Sequence, residues 1–91
     1  MKIVSKQEAN EVVSLLKDIM GKAKRQYELR IFSGANVHTY KNLFQTAWLS
    51  VSKLEQCIKL DSDIKTLQNY TDLAVHNTYQ LAKWIGERID K

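Results

Sequence analysis

Ninety-one residues are enough for one domain and too few for two, and a net charge of +4 at pH 7 is mild. With no proline, three glycines and an ordinary apolar share, the composition argues against disorder and against a hairpin-rich β fold. A lone cysteine, Cys57, argues against a disulfide-stapled framework and fits a reducing compartment.

Ser5-Lys6-Gln7-Glu8 reads as a capping box, in which the serine accepts from the backbone three residues on and the glutamate reaches back to the serine N–H. Ala9, Val12, Val13, Leu16, Ile19, Met20 and Ala23 then recur at three-four spacing, one face of a helix. This stripe thins beyond Gly21, where a bend or break is expected, and the helix should end near Phe32. Ser33-Gly34-Ala35-Asn36 supplies a glycine for the helix end and a residue suited to cap the next helix.

Val37, Tyr40, Phe44, Ala47, Val51, Leu54 and Ile58 form an uninterrupted heptad seam that predicts a second helix ending near Leu60. Asp61-Ser62-Asp63 is a short turn whose acidic groups suit the positive end of the next helix. Ile64, Leu67, Thr71, Ala74, Thr78, Leu81 and Ile85 predict that third helix, with two threonines allowing a neighbour to approach closely. Short links make long helices antiparallel neighbours. The expected fold is therefore all-α: residues 1–91 form a single up-down-up bundle of three long antiparallel helices, or of four if helix 1 breaks near Gly21.

Apolar residues lie beside these seams as well: Leu15, Leu43, Trp48, Tyr70, Leu73, Val75 and Trp84. They either widen the core stripe or bury against a second molecule. Leu43, Trp48, Leu73 and Trp84 are the residues to expect in self-association.

Charge is unevenly placed. Residues 17–41 carry Lys17, Lys22, Lys24, Arg25, Arg30 and Lys41 against Asp18 and Glu28, a net +4 that accounts for the whole excess of the chain. Up-down-up topology brings Lys83, Arg88 and Lys91 toward the same pole. Tyr27, Phe32, Tyr40, Phe44 and Trp84 belong there too. Cations among aromatics suit an acidic protein surface, or nucleic acid with exposed bases. They also suit a solvated face over an aromatic plug. The candidate partner-binding residues are Lys22, Lys24, Arg25, Tyr27, Arg30, Tyr40 and Lys41.

Motifs for chemistry are absent from the sequence. There is no glycine-rich phosphate loop, nucleophile elbow or zinc-binding histidine pair. Asp72 and His76 stand one helical turn apart, which suits a surface pair better than half a metal site. Cys57, beside the second seam, reads as buried packing. Small helical chorismate mutases share this size and class, but their second helix carries an Asp-x-x-Arg-Glu pattern, and no arginine occurs in helix 2 here.

No segment is apolar enough for a secretory leader or a membrane span, so a soluble, cytoplasmic protein is expected. Neither a cofactor, a metal nor an enzymatic activity is expected. The sequence is best read as a protein-protein interaction module, such as a small chaperone, inhibitor, immunity or adaptor protein, binding an acidic or helical partner. A nucleic-acid-associated regulator using the basic pole is the alternative. Leu54→Ala should cost about 2–5 kcal/mol in urea unfolding, and a loss below about 0.5 kcal/mol would mean that the second seam faces water.

Overall fold

The computed structural model describes residues 2–29 and 34–89, and within them the chain forms three α-helices and no strand. They are α1 (Lys6–Glu28), α2 (Ala35–Lys59) and α3 (Ile64–Ile89). All three pairs of helices pack together, α2 and α3 most extensively. The principal extents, 42 × 19 × 16 Å, are those of single rods laid side by side. No described helix is long and apolar enough to cross a membrane.

Each helix starts for a reason that can be named. Ser5 caps α1, its hydroxyl accepting from the Glu8 N–H at 3.2 Å. The return arm of the box differs from expectation, because the Glu8 carboxylate accepts from the Val4 N–H at 3.1 Å. α1 then runs unbroken through Gly21, so the expected break and the fourth helix it implied do not occur among the described residues. Nothing replaces a backbone hydrogen bond there, and glycine alone lowers helix propensity without forbidding it. The expected end of helix 1 near Phe32 lies outside the described residues, as does Ser33. Gly34, the glycine expected just past the end of helix 1, is itself the N-cap of α2, with no side-chain cap bond. Its φ of 64° and ψ of −134° lie in a region that glycine alone enters freely.

The α2–α3 turn closes as a Schellman motif. Ser62 N–H donates to the Cys57 carbonyl at 3.0 Å and Asp61 N–H to that of Ile58 at 3.2 Å, with Asp61 in the left-handed region at φ 56°. Asp63 then caps α3, accepting from the Thr66 N–H at 2.8 Å. The Thr66 hydroxyl and backbone N–H hold this carboxyl below its usual range.

Three rungs tie α1 to α2 and to the turn that follows it. Lys6 pairs with Asp61, Lys17 pairs with Glu55 at 2.8 Å, and the rings of Tyr27 and Tyr40 stack. Ile3 is buried ahead of α1, and its N–H donates to Gln68 Oε1 on α3 at 2.7 Å.

The core follows the three seams. Ala9, Val12, Val13, Leu16, Met20 and Ala23 of α1 face Tyr40, Ala47, Val51, Leu54 and Ile58 of α2 and Leu67, Ala74, Leu81 and Ile85 of α3. Cys57 is buried among them as a free thiol. Ile64, the first residue of α3, is the seam position that stays exposed.

Two buried threonines stand apart from this apolar set. Thr71 and Thr78 are fully buried, and neither hydroxyl has a hydrogen-bond partner among the described residues. Ser50 shows the satisfied alternative, its hydroxyl donating to the carbonyls of Thr46 at 3.0 Å and Ala47 at 2.9 Å. A buried hydroxyl without a partner carries its desolvation penalty uncompensated. Thr71→Val and Thr78→Val keep the branched shape and remove that penalty, so each should raise stability by about 1 kcal/mol in urea unfolding. A loss of stability in both would show that the hydroxyls are satisfied in solution.

Candidate functional site

A groove of about 690 Å³ lies between α1 and α2. α1 contributes Lys17, Met20, Gly21, Lys24 and Tyr27, and α2 contributes Tyr40, Phe44, Gln45 and Trp48. Both sets recur at three-four spacing, so each is one stripe of its helix. No α3 residue lines the groove.

The lining is apolar in its depth and cationic at its edge. Met20 and Tyr40 are buried, while Phe44 and Tyr27 are half-buried against the core. The Tyr27 and Tyr40 rings lie parallel, with centroids 4.7 Å apart and planes within 4°, and Phe44 tilts against Tyr40 at 5.6 Å. This aromatic stack forms one end of the groove. Burial pushes the Tyr40 phenol above its ordinary pKa, and the neighbouring Tyr27 phenol and Glu28 carboxylate add to the shift. The Tyr40 phenol is thus harder to ionise than an exposed tyrosine. At the other end Trp48 is 49% exposed.

Gly21 sits in the α1 wall. A Cβ added there would meet nothing within 4 Å, so the bundle makes no packing demand for glycine at this position. A helix-interior glycine costs about 1 kcal/mol relative to alanine.

The residues expected to bind a partner do not all converge. Lys24, Tyr27 and Tyr40 meet in the groove. Lys22 turns to the opposite side of α1, where it pairs with Asp18 at 3.2 Å and borders a smaller groove of about 250 Å³ between α1 and α3. Gly86 lines that second groove, with open space around it as well. Arg25 and Lys41 are exposed and line neither groove. Arg30 lies outside the described residues, as do Lys91 and the side chain of Arg88.

The four self-association candidates divide too. Leu43 and Trp84 are half-buried against the core, which absorbs much of their apolar surface. Trp48 and Leu73 remain about half exposed. Trp48 and Leu43, five residues apart, stand about 140° apart around α2, and Trp48 alone reaches the α1–α2 groove.

Sequence reasoning missed Met20, Gly21, Phe44 and Gln45 as groove residues and placed Trp48 elsewhere. Periodicity marks core against surface, but not which two helices leave a gap. The histidine reading also changes: Asp72 accepts from Gln68 Nε2 at 2.8 Å, and among the described residues no His, Cys, Asp and Glu cluster could hold a metal ion.

Gly21→Ala should raise stability by about 1 kcal/mol, measured by thermal or urea unfolding. Destabilisation would mean that α1 is strained or crowded there. No family model matches the chain, no curated protein matches it, and no solved structure matches it.

Proposed function

We propose that the protein is a non-enzymatic interaction module, an up-down-up three-helix bundle that works in the cytoplasm by binding another protein at the α1–α2 groove. The observation that carries this reading is the groove itself, an apolar trough with aromatic walls and lysines at its edge. Interfaces favour aromatics and methionine in their centre and charge at the rim. Its lining of Lys, Met, Gly, Tyr, Phe, Gln and Trp includes no carboxylate, histidine or cysteine to serve as a general base at neutral pH, which supports a binding role over a catalytic one.

Nucleic-acid binding is less well supported. Tyr27 and Tyr40 each spend one ring face on the other, Tyr40 is buried and Tyr27 is half-buried, which leaves little ring surface for bases. Of the two lysines in the lining, Lys17 is already paired with Glu55. Self-association is the competing use of the same surface, with Trp48 buried by a second copy.

The test is recovery of a partner from the native host's lysate by the wild-type chain and by Lys24→Glu and Trp48→Ala variants. A protein that survives nuclease treatment, weakens with salt and is lost from both variants supports the reading. Partner recovery that both variants retain would move the site elsewhere. Direct oligonucleotide binding with a steep salt dependence would favour the nucleic-acid alternative.

A further inference from the structure

We infer that the occupant of the α1–α2 groove is one amphipathic α-helix of a partner protein, with acidic residues flanking its apolar face and its backbone lying close over Gly21. This rests on the protein-binding reading above and narrows it. Three features of the groove point to a helix and to its charge.

The first is backbone chemistry. The groove is walled by two helices whose interior N–H and C=O groups are already used within each helix. It therefore offers no open edge for an extended peptide to pair with, and Gln45 is its one uncharged amide side chain. A strand laid there would leave its own backbone groups unpaired over an apolar floor. A helix satisfies them internally and brings only side chains to the floor.

The second is shape. The α1 lining runs from Lys17 to Tyr27, which is about 15 Å at 1.5 Å per residue, or roughly three helical turns. Gly21 lies near the middle of that run and has open space where a Cβ would be. Glycine at this place in the groove wall leaves room for another backbone to approach closely. The same position lets a helix sink toward Met20 and Phe44, the apolar floor.

The third is charge. Lys17 and Lys24 lie in the α1 wall, and Arg25 follows Gly21 by one turn. On α2, Lys41 stands one turn before Gln45 and two before Trp48, on the same stripe. Lys24, Arg25 and Lys41 take part in no ion pair among the described residues. The nearby carboxylates lie at the margins: Glu55 is held by Lys17, and Glu28 acts on Tyr40 at the stacked end. Lys24 is thus the lining cation with no ion pair among the described residues, Arg25 and Lys41 stand exposed beyond the lining, and acidic flanks complement these three.

The test uses three synthetic 16-residue peptides. The first carries leucines at i, i+3, i+4 and i+7 with glutamates on both flanks. The second keeps the leucines and replaces the glutamates by lysines. The third is the first with two central prolines. Binding is read from Trp48 emission in a Trp84→Phe background and from amide shift changes.

The glutamate peptide should bind at least tenfold tighter than either of the others. Gly21→Leu, which fills the groove from its wall, should weaken it at least tenfold with helical content unchanged. Gly86→Leu, in the other groove, should leave it unaffected. Equal binding of the proline peptide would overturn the helical occupant while leaving the protein-binding reading intact. Equal binding of the lysine peptide would overturn the acidic flank. Unchanged binding by Gly21→Leu would remove the occupant from this groove. Sedimentation showing a wild-type dimer that Gly21→Leu dissolves would assign the groove to a second copy instead. Failure of all three peptides, with a lysate partner still lost in Lys24→Glu, would sink this inference alone.

Discussion

The close approach of α2 and α3 is the contact on which the rest of the molecule depends. Small residues line both sides of it: Ala47 and Ser50 on α2, and Thr71, Ala74 and Thr78 on α3. With so little side chain between the axes, Val51, Leu54 and Leu81 are sealed completely from water. Close-packed contacts of this kind gain dispersion energy as well as apolar burial. α1 packs against this pair through Ala9, Val12, Val13, Leu16, Met20 and Ala23, and two ion pairs, a ring stack and the Ile3–Gln68 hydrogen bond add to its edges. The exposed ion pairs contribute little individually.

This division explains how much of the fold could be read from the sequence. The seams of α2 and α3 are regular because each faces a close neighbour along its whole length, and such a face leaves a heptad trace. α1 leaves a weaker trace past Ala23, because its later turns line a groove and need not be apolar on the core side alone. Ile3 escaped notice since a single apolar residue before a cap has no periodicity to announce it. At Gly34 a backbone requirement outweighs the side-chain preference for a polar cap, because the chain takes a positive φ there.

The site was legible only in its ingredients. Lys22 and Lys24 are two residues apart and look equivalent in a charge count. On a helix that step is about 200°, so the first meets α3's side and the second meets α2's. Phe44 reads as a seam residue, Trp48 as a surplus apolar residue beside the seam, and Gly21 as a weak point in a helix. Their meaning depends on tertiary register between residues 17–27 and 40–48, which no local pattern encodes. The same register places an uncharged aromatic stack at one end of an otherwise cationic trough.

Cys57 lies away from that trough, under the turn that joins α2 to α3. Its thiol is buried, and its carbonyl is tied into the Schellman closure by the Ser62 N–H. A thiol reagent can reach it only in molecules whose α2–α3 end has opened, and local opening has a free energy of its own. The rate of labelling is therefore a clock for that motion, intrinsic to the wild-type chain and needing no added probe. Labelling in the presence of a bound partner would report whether opening at this end is coupled to occupancy of the groove.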